Sequence, residues 1–328
     1  MAKPIITIIG LGLTGASLGL GLQQEAADFE IVGHDKEPGV AQAARRQGAV
    51  NRTEWNLHRA CDGAGLIVLA VPLSEVGELL SLIEEDLRPD TLVFIIASVI
   101  QPAIDLANRH LPTHTHVAVG HPVLASVGGA LSMRADLFQD VIFAVAPTPQ
   151  SEPAAVQLAS DFIERVGANP FYLDPLEHDG VIAGVEHLPQ LMAAALMRMS
   201  SAAPGWHEAS RLAGRQFAQA TDMGAGATQL FSTLSLNRTH LVERIDRLQQ
   251  ELAQWRAWLL AEPVDGETPP LQAAVEAAVK ARADWEAQAK LKSWDEAPAP
   301  AQAADSPGLL RQFFLGNLGR RPPTGKGT

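Results

Sequence analysis

Short apolar runs alternate with helix-length polar segments through the first half of the chain, and beyond about residue 176 they stop. Residues 5–9 (IITII), 29–34, 65–72, 92–98, 117–120, 141–146 and 170–173 read as strands. Runs such as IITII and GLIVLAVP are apolar at nearly every position, the pattern of strands covered on both faces of a parallel sheet. Between them, residues 38–48, 74–85, 102–110 and 152–166 read as helices. The first has a proline near its opening turn and a glycine at its end, and Ser74 is placed to cap the second. Strands alternating with helices predict an α/β fold, a doubly wound sheet with mostly parallel strands. Residues 186–203, 206–220, 237–261 and 271–292 then read as helices separated by proline, glycine or polar breaks. Leu241, Ile245, Leu248, Leu252, Trp255 and Leu259 recur every three to four residues, an apolar stripe that reads as core or as a subunit contact. The expected organisation is a sheet domain over residues 1–175, an all-helical domain over 176–295, and a flexible tail over 296–328. The tail opens with APAPAQAADSPG and closes with an apolar patch and basic residues.

The turn after the first strand changes this picture from a fold into a site. Gly10, Gly12 and Gly15 have the spacing G-x-G-x-x-G between a strand and a helix. The first glycine serves the tight turn, the second admits a pyrophosphate to the backbone, and the third lets helix and strand approach. Leu13 and Thr14 open the helix, whose free N–H groups and partial positive charge suit phosphate. Asp35 follows the second strand, twenty residues past Gly15, where a carboxylate accepts hydrogen bonds from a ribose diol. The segment reads as a Rossmann-type dinucleotide site. His34 and Lys36 flank Asp35, but Asp35 itself repels a 2′-phosphate, so NAD is expected rather than NADP.

Composition narrows the partners. With 328 residues the chain suits two domains, and its 47% hydrophobic and 19% charged content is that of a soluble globular protein. The net charge of −12 argues against nucleic acid or an anionic membrane as the main partner, so an anionic substrate needs a local cationic pocket. A single cysteine, Cys61, excludes an internal disulfide framework and fits a cytoplasmic location. The chain starts almost at once with a strand, without room for a signal peptide, and no apolar run reaches the length of a membrane span.

A nicotinamide enzyme that oxidises an alcohol needs a base for the hydroxyl proton. His121 follows the strand-like HVAVG and precedes a proline, which puts it at the carboxyl edge of the sheet, where α/β ligands bind. Ser98 ends the run LVFIIAS and is placed to reach the same crevice and orient the imidazole. A structural histidine holding a loop is the plainer alternative. His110, His114 and His116 cluster on a proline-containing loop without a carboxylate or thiolate, and read as surface rather than metal ligands; no metal is expected.

These segments resemble the prephenate/arogenate dehydrogenase family. The similar features are GLGLTGASLG, AVPL at 70–73, ASV at 97–99, GHP at 120–122, ADLF at 135–138 and APTP at 146–149. EHDGVIAGVEHLPQLMAAAL from Glu177 and LNRTHLVERIDRL from Leu236 continue the resemblance, which covers roughly residues 5 to 260 in order. It implies a Rossmann domain followed by a helical dimerisation domain, a homodimer, and NAD-dependent oxidative decarboxylation of a cyclohexadienol in tyrosine biosynthesis. It also implies that Val71 and Pro72 lie against the cofactor, that His121 contacts the ring hydroxyl, and that Ser98 supports it. His187 and Gln190 fall in the family's substrate-binding segment.

The chain departs from the family pattern at several positions. The strand-end pattern Asp-Val-(Gly/Ala)-Ser-Val-Lys is IIASVI here, with Ile95 and Ile100 in place of the acid and the lysine. SHLPH is EHLPQ, keeping His187 but placing Glu186 and Gln190 at its ends, and Asp222 stands where a carboxylate-binding arginine is expected. Arg215, Arg198 or Arg211 are candidate substitutes. The changes remove positive charge and add negative charge, which suits a less anionic alcohol, such as one bearing an amine. Three readings follow: a prephenate/arogenate dehydrogenase, a dehydrogenase of the same fold with a different alcohol, and a non-catalytic NAD-binding sensor or assembly protein.

Overall fold

The computed structural model describes residues 3–23, 28–88, 91–112, 115–124, 132–146, 152–262 and 268–291. The tail expected over 296–328, His114 and most of the APTP segment lie outside the described residues. In chain order the first elements are β1 (Ile5–Ile9), α1 (Leu13–Gln23), β2 (Glu30–His34), α2 (Pro38–Arg46), β3 (Arg52–Thr53), α3 (Leu57–Cys61), β4 (Ala64–Leu69) and α4 (Leu73–Ile83). They continue with β5 (Leu92–Ile96), α5 (Ile100–His110), β6 (His116–Pro122), β7 (Ile142–Val145), α6 (Pro153–Arg165) and β8 (Asn169–Tyr172). The remaining helices are α7 (Pro175–Ile182), α8 (Leu188–Ser201), α9 (Trp206–Leu212), α10 (Arg215–Ala220), α11 (Ala227–Leu236), α12 (Arg238–Leu260) and α13 (Pro270–Leu291).

The eight strands form one sheet in the order β3-β2-β1-β4-β5-β6-β7-β8. Every pairing is parallel except β6 with β7, where His121 lies opposite Ala144. The sheet is buried on both faces because successive side chains alternate between two cores. Leu66, Val68, Leu92 and Phe94 join Ile6, Ile8, Phe143 and Phe162 on one side. Ile67, Leu69, Val93 and Ile95 join Val76, Leu80, Ile104 and Cys61 on the other. Cys61 belongs wholly to that second core, and burial pushes its thiol up to about 12, which removes it as a nucleophile.

The helices depart from their expected limits in instructive ways. Ser74 does not cap α4; Pro72 occupies the cap position, without a side-chain hydrogen bond, and its fixed φ is compatible with starting a helix. The helix expected over 206–220 is two, α9 and α10, broken at Ala213–Gly214. The helix expected from residue 186 starts at Pro175: α7 and α8 run together through a π turn, Ala183–His187. The resulting helix, Pro175–Ser201, is long and apolar enough to cross a membrane by length and composition, which corrects the expectation drawn from contiguous apolar residues. His178, Asp179 and His187 are nonetheless buried within the protein, so this helix serves as a wall of the site described below. α3 and α11 escaped sequence reading because one is a single capped turn and the other buries only Leu230, leaving no stripe.

The described residues up to Leu241 form one compact unit and those from Val242 onward a second. The helices from α7 to α11 therefore lie in the same unit as the sheet. The attachment of α7 is specific. Its Asp179 carboxylate accepts the backbone N–H groups of Ile100 (2.7 Å) and Gln101 (3.0 Å), satisfying the free donors that open α5.

Candidate active site

The carboxyl edge of the parallel strands collects residues that are remote in sequence. β1 runs into the glycine turn, β2 ends beside Asp35, β4 leads to Val71 and Pro72, β5 leads to Ser98, and β6 carries His121. The chain leaves β1 for β2 on one side and later returns to β4 on the other, which makes their shared crevice the place where such sheets bind ligands. A cavity of about 480 Å³ lies there, with Gly12, Leu13, Thr14, Val71 and Pro72 on one wall and Ser98, His121, Glu186, Gln190 and Thr233 on the other.

The glycine turn has the geometry that a dinucleotide requires. Gly10 has φ 89°, and a Cβ there would lie 2.5 Å from the Ala70 carbonyl oxygen. At Gly15 a Cβ would sit 1.9 Å from the carbonyl oxygen of Gly10, so strand and helix are in backbone contact. At Gly12 a Cβ would meet nothing within 4 Å, because this position opens on the cavity. Two substitutions separate these roles. Gly15→Ala is expected to lower stability by about 1–3 kcal/mol through overpacking and to weaken NAD binding with it. Gly12→Ala is expected to weaken NAD binding alone, leaving the thermal midpoint unchanged; calorimetric titration and thermal denaturation of both variants check this.

Asp35 is half-buried and already oriented. Its Oδ2 accepts the Leu11 N–H and its Oδ1 the Glu37 N–H, each at 2.8 Å, and a carboxylate held this way retains lone pairs for a diol. Lys36 faces Glu75, with Nζ 2.8 and 2.9 Å from the two carboxylate oxygens, so its charge is engaged. An open glycine, a helix start and a placed carboxylate fit NAD.

Opposite the glycine turn stands a chain of buried histidines. His178 Nδ1 is 2.8 Å from the Asp179 carboxylate, which can only accept, so that nitrogen donates. With His178 neutral, its Nε2 is the acceptor, and His121 Nδ1, 3.3 Å away, carries the proton directed at it. The unprotonated nitrogen of His121 is consequently Nε2, on the cavity side, 3.5 Å from Glu186 Oε2. Burial holds His121 at about 3, so the imidazole is neutral at physiological pH. An imidazole with its tautomer set and Nε2 free is a proton acceptor in waiting.

This geometry revises several residue expectations. Ser98 lines the cavity, as expected, but the partner that orients His121 is His178 rather than Ser98. His187 does not reach the cavity. It is fully buried, its Nδ1 accepts from Asn237 Nδ2 (3.1 Å), burial holds it at about 4, and its Nε2 has no partner among the described residues. The π turn provides a reason: adding a residue to the turn rotates Glu186 and Gln190 towards the cavity and His187 into the protein. Arg215 opens α10 and lines a different, apolar hollow beside Trp206 and Phe217. Asp222 is exposed and holds its own turn by accepting the Gly224 N–H (2.9 Å). Arg211 packs on His207, 3.1 Å away, and Arg198 is exposed on α8.

Sequence reading gave no role to His178, Asp179 or Asn237. Asn237 donates to the Asp179 carbonyl oxygen (2.8 Å) as well as to His187, and so ties the start of α12 to α7. The adjacent acid and histidine at 178–179 were the available signal. Their role depends on contacts with positions 57 to 79 residues away.

Two family models match the chain: the nucleotide-binding domain of prephenate dehydrogenase over residues 18–172, and the dimerization domain of prephenate dehydrogenase over residues 174–272. Prephenate dehydrogenase from Bacillus subtilis is 23% identical over 267 residues, covering 80% of this chain and 72% of its own length. Cyclohexadienyl dehydrogenase from Zymomonas mobilis is 26% identical over 267 residues, covering 79% and 90%. Among solved structures, prephenate dehydrogenase from A. aeolicus in complex with hydroxyphenyl propionate and NAD+ has the same fold. Its TM-score is 0.72 at 19% identity, over 89% of this chain and 98% of that one.

Proposed function

The chain belongs to the prephenate dehydrogenase family, and on that premise we propose that it is an NAD-dependent dehydrogenase that oxidatively decarboxylates a cyclohexadienol, prephenate or arogenate. The observation that carries the proposal is the open His121 Nε2, fixed by Asp179 and His178, in the same cavity as the glycine turn. Gly10, Gly12, Leu13, Thr14, Gly15, Asp35, Val71 and Pro72 form the cofactor side. NAD, when bound, supplies the acceptor for hydride from the carbinol carbon. His121 Nε2 takes the hydroxyl proton, and the bonding pair left on oxygen becomes the second C–O bond of a dienone. The ring carboxylate then leaves as carbon dioxide, the bonding pair it leaves behind makes the ring aromatic, and the carbonyl oxygen takes the proton back from His121 as a phenol. Ser98 lies on the same wall and is placed to hold the hydroxyl; Gln190 is placed to bind the remainder of the substrate.

One observation favours a less anionic substrate within this class. No lysine or arginine lines the cavity among the described residues, whereas Glu186 does. Arogenate, with an amino group balancing one carboxylate, suits that wall better than prephenate does. The protein is proposed to act as a cytoplasmic homodimer. Val181, Val185, Met192 and Met199, exposed along the helix Pro175–Ser201, offer apolar surface for a second copy. The test is NADH formation with NAD and prephenate, then arogenate, under identical conditions. Turnover with a higher kcat/KM for arogenate is expected. Absence of turnover with both, while calorimetry shows NAD bound, overturns the proposal.

A further inference from the structure

We infer that Glu186 and His121 form a coupled acid–base pair, in which ionisation of Glu186 sets the strength of His121 Nε2 as a base. The inference rests on the dehydrogenase reading above, because only there does His121 act as a base. Among the described residues, one carboxylate faces that nitrogen. His121 Nδ1 is committed to His178, and His178 to Asp179, whose side chain is 3% exposed and already accepts two backbone N–H groups. This chain of contacts is closed at its far end. On the cavity side, His121 Nε2 lies 3.5 Å from Glu186 Oε2, and the Glu186 side chain is 36% exposed against 8% for His121. A carboxylate that faces both the buried imidazole and solvent exchanges its own proton with water and, once ionised, favours the protonated form of His121 and so strengthens it as a base.

The electrostatic surroundings agree. Among the described residues, the titratable groups around the pair are His178 and Asp179 from α7, His187 from the π turn and, behind Asn237, His240 from the start of α12. Gln190 of α8 and Gln229, Ser232 and Thr233 of α11, which complete this wall, do not ionise near neutrality. Burial raises the Glu186 carboxyl above its ordinary range and lowers His121. Of the two groups, Glu186 is therefore the one favoured to hold a shared proton, and its ionisation places a negative charge 3.5 Å from His121 Nε2. The two groups titrate as a unit, and the step belongs to the pair.

Two readouts test this on the full chain. The first needs neither NAD nor substrate: nitrogen NMR of histidine-labelled protein, with His121 assigned by its absence in His121→Asn. The wild-type His121 resonance is expected to step as Glu186 ionises, Glu186→Gln to lose the step, and Glu186→Asp to keep one at a shifted pH. The second is the pH dependence of kcat/KM. Glu186→Gln is expected to move the ascending limb to lower pH and to lower kcat about tenfold, with NAD binding unchanged. A His121 titration that is the same in wild type and Glu186→Gln overturns the inference, as does a wild-type resonance without a step if the Gln variant fails to fold. An absence of turnover in wild type counts against the dehydrogenase reading alone, since the resonance decides the pair independently.

Discussion

His121→Asn is expected to lower kcat by about 10²–10⁴-fold, the usual contribution of a positioned general base, while leaving NAD binding intact. Asparagine is smaller than histidine, and its amide has no lone pair basic enough to take the hydroxyl proton. His121 sits on β6 and is paired with His178 of α7, whereas Asp35 is held by Leu11 and Glu37, so the cofactor half of the cavity keeps its geometry. Single-turnover measurements of NADH absorbance, with calorimetric titration of NAD, separate the two effects. A variant that turns over at the wild-type rate would show that His121 is a structural residue. A variant that loses NAD affinity in proportion to its rate would show that the two halves of the site are not independent.

Asp179→Ala is expected to cost about 3–5 kcal/mol of stability, because it strands several donors in a buried place. The carboxylate accepts from Ile100, Gln101 and His178, and its side chain is almost fully buried. Its loss leaves the N-terminus of α5 uncapped and α7 without its attachment to the sheet domain. Asp179→Asn keeps the volume but turns one acceptor into a donor. It is expected to fold with a smaller loss and to lower kcat by about 10²-fold, because His178 no longer has a fixed tautomer and His121 Nε2 is no longer kept free. Urea denaturation measures the first effect and steady-state kinetics the second. Equal urea midpoints for wild type and Asp179→Ala would refute the attachment.

The strands at 5–9, 29–34, 65–72 and 92–98 were legible to within a few residues because each is a buried run of the sheet. The glycine turn was legible from its spacing: Gly15 packs on the Gly10 carbonyl within the strand–turn–helix itself, Gly10 lies against Ala70, and Gly12 opens on the cavity. Ser98 and His121 were legible as a pair at one edge, since each follows directly on an apolar strand. His187 was misplaced. Its sequence neighbours Glu186 and Gln190 reach the cavity, but a π turn sets which side of the helix faces which way, and nothing in the apolar pattern marks it. Arg215 and Asp222 were weighed as substrate contacts from their position along the chain alone. The break at Ala213–Gly214 sends the first to another hollow and the second to its own turn.

The chain by itself therefore determined the architecture and the cofactor. Strand period, helix alternation, the glycine spacing and the acid after β2 are all properties of short segments, and local sterics and burial pattern suffice to encode them. The tertiary structure alone decided which nitrogen of His121 is free, what holds it so, and which acid faces it. Those answers rest on hydrogen bonds from His121 to His178 and from the Ile100 N–H to Asp179, between groups 57 and 79 residues apart. A tautomer is set by the partner of the other ring nitrogen, and a buried polar group takes whichever partner the packing of helix against sheet brings to it.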